Sequence, residues 1–310
     1  METRADGVAE LAMLLSRRLS VDVAALMRGE LRPKGAATQL AYKHAAHVDQ
    51  AQLAAATYLA SSLAQAVSAS MSQPYVPLPQ SLEVLQAEVR AADQHGVLGF
   101  DAMLAVCWNH GIPVIPLPNL PVGVRKMDGA ALQVANRPAI VLAKKRSSRA
   151  WLSFILGHEM GHIAQGHLRP GASIVDISLK DSSEYVSETV GDRQEQEADE
   201  YALEVLGGAQ VAAAIRSWPA HASPVELAVL AREGGRALGI EPGHLVLRAA
   251  FETKRWADAA SALNYLSEDM NPQEVLAARL RTHLSLELVA EDLQDLIASI
   301  TGLADANTAG

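Results

Sequence analysis

Apolar positions recur every three or four residues along much of the chain, and residues 151–162 carry the most informative run: Trp151-Leu152-Ser153-Phe154-Ile155-Leu156-Gly157-His158-Glu159-Met160-Gly161-His162. Trp151, Phe154 and Ile155 lead into His158 and His162 on one helical stripe, and Ser148 is placed to cap its start. The two histidines therefore stand one turn apart at the inner edge of a core. Gly157 and Gly161 weaken the helix by up to about 1 kcal/mol each relative to alanine, which points to close approach of another backbone or of substrate.

Upstream, Leu11, Leu14 and Leu15, then Leu53, Ala56, Ala60, Leu63 and Val67, repeat at helical spacing, with Gly29, Pro33 and Gly35 between. Residues 1–75 read as a helical region, closed by the stiff link at Pro74, Pro77 and Pro79. Ser81 opens a helix through Leu82, Leu85, Val89 and Ala92 that stops at Gly96. Asp101 caps a second through Leu104 and Trp108 that stops at Gly111. Ile112-Pro113-Val114-Ile115 predicts a strand confined to a sheet edge by its proline. Residues 130–134 and 139–143 predict a hairpin around Asn136-Arg137-Pro138, and 172–179 alternate like a further strand. An edge strand of such a sheet, beside the 151–162 helix, could hold an extended peptide by main-chain hydrogen bonds.

Residues 211–310 predict helices again. Ser223-Pro224-Val225-Glu226 combines a cap, a proline at the first helical position and a capping-box glutamate. Further helices start at Pro242, span Trp256 to Leu266, start at Pro272, and run from Leu286 to Ile300, before a frayed tail at 304–310. We expect a regulatory or docking domain without chemistry of its own.

The chemistry lies in the spacing of His158, Glu159 and His162. Two imidazoles four residues apart can bind one ion, while Glu159, about 100° further round the helix, can reach a water at that ion and accept its proton. A third ligand is required. Glu195-Gln196-Glu197-Ala198-Asp199-Glu200-Tyr201-Ala202 supplies a second helix on which Glu195 and Asp199 share a face with Ala198 and Ala202. Glu195 is the expected third ligand, and Asp199 the acceptor that fixes the tautomer of a ligating histidine. Glu197, about 200° from Glu195, is the rival ligand and otherwise solvated. His167, five residues after His162, is expected to cap the helix end rather than bind metal. Tyr185, His167 and Tyr201 are available to stabilise an oxyanion. Residues 181–192 form an acidic, serine-rich loop between the ligand segments.

Composition narrows the setting. The 310 residues suffice for two or three domains, and 49% hydrophobic with 20% charged residues is ordinary for a globular protein. Cys107 is the single cysteine, so no intrachain disulfide forms and no cysteine-based zinc set exists. With charges scattered over residues 1–20 and no run of 18 apolar residues, neither secretion nor membrane insertion is indicated, and a cytoplasmic setting is expected. A net charge of −9 argues against general nucleic-acid binding. The early basic residues Arg17, Arg18, Arg28, Arg32, Lys34 and Lys43 are nearly balanced by acids, and no helix-turn-helix stands out.

These motifs resemble the ImmA/IrrE-type metallopeptidases. The resemblance rests on Gly111-Ile112-Pro113-Val114, on Pro138-Ala139-Ile140-Val141-Leu142, on residues 154–162 and on residues 195–202, and covers roughly 80–210, with a weaker echo at Gly239-Ile240-Glu241-Pro242. It implies an α+β fold: a zincin-like metallopeptidase domain over 80–210 with a small sheet and metal-site helices, flanked by all-helical regions at 1–75 and 211–310. It further implies zinc at His158, His162 and Glu195, Glu159 as general base, and cleavage of a helix-turn-helix repressor that controls stress, phage or mobile-element genes. Many members carry their own DNA-binding helix-turn-helix, so here the repressor is expected to be a separate protein, with no sequence-specific DNA contact by this chain. The alternative is a non-catalytic regulator that sequesters a partner around a structural or vestigial metal site.

Overall fold

In the computed structural model, residues 2–19, 22–28, 39–43, 50–119, 128–143, 148–168, 172–176, 193–266 and 271–303 are described. Helices α1 (Glu2–Leu19) and α2 (Val23–Met27) precede strand β1 (Gln39–Lys43), and α3 (Gln50–Ser70), α4 (Leu82–Ala92) and α5 (Phe100–Asn109) follow. Strands β2 (Val114–Pro116), β3 (Gly129–Val134) and β4 (Arg137–Leu142) lead to helix α6 (Arg149–Ala164), β5 (Ala172–Asp176) and helix α7 (Arg193–Val205). The chain continues through α8 (Gly208–Arg216), α9 (Pro224–Leu238), α10 (Pro242–Thr253), α11 (Trp256–Tyr265), α12 (Pro272–His283) and α13 (Glu291–Thr301). The architecture is mixed α+β and mostly helical, with one small sheet. Among the described residues, no helix is long and apolar enough to cross a membrane.

The sheet runs β1-β5-β3-β4-β2. β3 and β4 form an antiparallel hairpin in which Gly129 faces Leu142 and Val134 faces Arg137. Its turn is Ala135-Asn136, one residue earlier than the spacing predicts, with Ala135 at φ 50°. The left-handed conformation of the two-residue turn falls on Ala135, so the turn opens one residue before the Asn136 that marks it in the sequence. β2 takes the edge position that Pro113 requires and runs parallel to β4. β1 lies parallel to β5 at the opposite edge. The amino-terminal region is thus not all-helical, as expected, but lends a strand to the sheet.

Several caps follow the sequence. Ser81 accepts a hydrogen bond from the Val84 N–H at 3.4 Å. Ser223 and Glu226 exchange the two bonds of a capping box, with Pro224 at the first helical position. Helix α5 departs from expectation: its cap is Gly99, the Phe100 N–H donates to Glu241 Oε2 at 3.1 Å, and Asp101 pairs with Arg149 at 3.3 Å. The helix expected from Leu286 is broken, with a single 3₁₀ turn at Leu286–Leu288 ahead of α13.

One hydrophobic core extends from Ala56 on α3 to Leu303, passing the expected borders near 80 and 210 without a break. Arg90 on α4 helps join these parts, donating to the carbonyls of Gly96 and Gly239 at 2.9 Å and of Leu238 at 3.0 Å. At the centre of the core lies α6, packed on β3 and β4, on α5, on α7 and on α10. Ser153 on α6 donates to Glu241 Oε2 at 3.1 Å, and a Cβ at Gly243 would stand 2.9 Å from that of Ala150, so the start of α10 sits directly against α6. His244, buried, follows Gly243 and lines a small pocket with Trp151, Phe154, Phe251 and Trp256.

Candidate metal centre

Residues 150 and 152–162 of α6 are buried, so both histidines and Glu159 sit inside the core. Ser148 occupies the cap position by its backbone, without a side-chain cap bond. Opposite, α7 presents Ala198 and Ala202, both fully buried. The two helices meet where α6 has glycine: a Cβ at Gly161 would lie 2.9 Å from the Ala198 Cα, and one at Gly157 would lie 3.2 Å from the Ala202 Cα. The approach foreseen from these glycines is therefore that of a second helix backbone. It carries Glu195, in the first turn of α7 and buried, to the two histidines.

His158, Glu195 and His162 form a group whose donor atoms all lie within 4.8 Å of one another. The Nε2 atoms of His158 and His162 are 3.0 Å apart, and the Glu195 carboxylate sets Oε2 at 3.4 Å from the first and Oε1 at 3.4 Å from the second. Donors on a tetrahedral ion with bonds of about 2.0–2.1 Å stand roughly 3.3 Å apart, so these spacings suit a metal ion. These three residues could hold a metal ion.

Asp199, one turn beyond Glu195, places Oδ1 at 2.8 Å from His158 Nδ1. An ionised carboxylate only accepts, so Nδ1 carries the proton and Nε2 turns a lone pair toward the centre. Glu197 does not enter the donor triangle. It is also not simply solvated, because Oε2 lies 2.9 Å from His167 Nε2 and Oε1 accepts from Arg193 Nε at 2.6 Å. The Arg193 bond, and then the His167 bond, hold its carboxyl below the usual glutamate range.

Glu159 is fully buried, and its carboxylate lies against the bare backbone of β3, where a Cβ at Gly129 would collide with it. β3 is an interior strand: over Gly129–Leu132 it pairs with β4 on one side and with β5 on the other, while the edge expected of residues 112–115 is β2. Tyr201 is buried, its phenol pushed up by burial and then by the nearby Cys107 thiol. Its hydroxyl makes no hydrogen bond among the described residues. Tyr185 and the acidic loop at 181–192 lie outside those residues.

Sequence reasoning overlooked Gly129 and gave His167 too small a part. The cap expected of His167 exists, since its N–H donates to the His162 carbonyl at 3.0 Å, but the same turn also brings its ring to 2.9 Å from His162 Nδ1. The five-residue spacing after His162 was the available signal. No protein-family model, no curated protein and no solved structure matches the chain.

Proposed function

We propose that the protein is a zinc-dependent endopeptidase of the ImmA/IrrE type, acting in the cytoplasm on a separate helix-turn-helix repressor. The observation that carries the reading is the buried triangle of His158, His162 and Glu195 with the Glu159 carboxylate on the next residue of the same helix. Two nitrogens and one carboxylate suit zinc, and a group of three among the described residues agrees with a hydrolytic site, which keeps one position open. A bound zinc ion supplies Lewis acidity to an attacking water and to a scissile carbonyl.

The chain's residues do the rest. Asp199 holds the His158 ring in the tautomer that binds metal, and Glu195 closes the donor set from α7. Glu159 takes a proton onto its carboxylate from the attacking water and returns it to the leaving amine. The choice of a repressor as substrate rests on the resemblance of residues 154–162 and 195–202 to that family.

The test uses Glu159→Gln. The variant should keep wild-type zinc content and folding while losing proteolysis, whereas His158→Ala, His162→Ala or Glu195→Ala should lose the metal. Proteomic comparison of cells with wild type and Glu159→Gln identifies the substrate as the protein that disappears only with wild type. Full derepression of target genes by Glu159→Gln would defeat the peptidase reading and leave sequestration of the partner as the function.

A further inference from the structure

A second set of hydrogen bonds approaches the metal group from the far side of His162. Helix α6 is capped at Gln165, Gly166 turns the chain at φ +69°, and the His167 N–H returns to the His162 carbonyl. That turn stacks the two rings edge to face, 5.2 Å between centroids at 64°, with His162 Nδ1 and His167 Nδ1 2.9 Å apart. From α7, Glu197 Oε2 reaches His167 Nε2 at 2.9 Å, and Arg193 grips the other carboxylate oxygen.

Donor and acceptor rules order these contacts. The Glu197 carboxylate only accepts, so the proton between it and His167 belongs to His167 Nε2. With Nε2 engaged by Glu197, His167 Nδ1 is left to accept, and the close Nδ1 pair is bridged by the proton of His162 Nδ1. His162 Nε2 is left with its lone pair directed at His158 Nε2 and Glu195. We propose that His167 and Glu197 are a positioning pair that fixes the tautomer of His162 for metal binding, as Asp199 does for His158. The pair is built for the role: the His167 side chain is 5% exposed, while Glu197 at 31% and Arg193 at 91% carry the chain of bonds out to solvent.

This inference rests on the metal site of the proposed function, and the experiment separates the two. Zinc affinity of the purified full chain is measured by competition with a chromophoric chelator, and imidazole tautomers are read by ¹⁵N NMR of the folded zinc-loaded protein. Glu197→Ala and His167→Ala should each weaken zinc binding about 10- to 100-fold, the usual effect of removing a partner of a ligating histidine. Glu197→Gln keeps an acceptor oxygen and should stay close to wild type. In the spectra, His162 should carry its proton on Nδ1 and His167 on Nε2. Wild-type affinity in Glu197→Ala, a loss in Glu197→Gln as large as in Glu197→Ala, or a proton on His162 Nε2 would each overturn the assignment. Because Glu197 is part-exposed, its variants decide the matter even where His167→Ala fails to fold. Unchanged zinc affinity in His158→Ala would instead remove the metal site itself.

Discussion

Helix α6 meets its neighbours on two sides through glycine, and the two contacts differ in what can yield. Toward α7, Gly161 faces the Ala198 backbone and the Tyr201 Cβ, and Gly157 faces the Ala202 backbone and Cβ. Toward the sheet, Gly129 of β3 faces the carboxylate end of Glu159. Backbone gives way only if a helix moves, whereas a carboxylate swings about its own torsions. The first contact therefore sets the spacing of His158, His162 and Glu195, which two helices carry, and the second sets where the Glu159 carboxylate rests.

Gly161→Val tests the rigid side most severely. Its Cβ would stand 2.9 Å from the Ala198 Cα and 3.1 Å from the Ala198 carbonyl oxygen, so α7 must retreat and take Glu195 with it. Stability should fall by about 3 kcal/mol, with zinc affinity lost alongside; denaturant unfolding and chelator competition measure the two. A variant that unfolds and binds zinc like wild type would show that α6 and α7 are not held by this contact. Gly129→Ala tests the yielding side. Folding and zinc content should survive, while displacement of Glu159 by about an ångström should lower turnover roughly a hundredfold. Loss of the fold in that variant would erase the distinction between the two sides. Gly157→Ala should do least. Its Cβ meets Ala202 at 3.2 Å and Met103 Cε at 3.3 Å, a mild crowding set against about 1 kcal/mol of gained helix propensity, so the melting temperature should barely move.

The same contrast explains what could be read from the chain alone. Residues 158, 159 and 162, and 195 and 199, sit on helices of fixed pitch, so spacing predicts which of them share a face. The glycines at 157 and 161 announce a near neighbour because helix interiors otherwise disfavour them. Contacts that join distant segments leave no such trace. The carboxylate at the start of α5 comes from Glu241, 141 residues away. β1 pairs with β5 across a comparable separation, with only five residues of its own to signal a strand. His167 joins His162 through a turn beyond the helix end, where a repeat of 3.6 residues no longer applies. Nor does the alternation over 172–179 reveal that β5 pairs with β3 and makes the strand beside Glu159 an interior one.

His244, held beneath the first turns of α6 among aromatic rings, makes the fold sensitive to acid. Burial, and then the charge of Arg248, lower its pKa from the ordinary 6.5 to about 3. Between those two values the unfolded chain takes up a proton that the folded chain refuses, so stability falls as pH drops through 6.5 toward 3, and nothing changes above 6.5 from this group. The slope it contributes approaches about 1.4 kcal/mol per pH unit. His244→Phe fills the same space without titrating, and denaturant midpoints at pH 7 and pH 4.5 should draw closer together in it than in wild type. His244 lines its pocket with Trp151 and Phe154, so the titrating group stands against the helix that carries His158, Glu159 and His162.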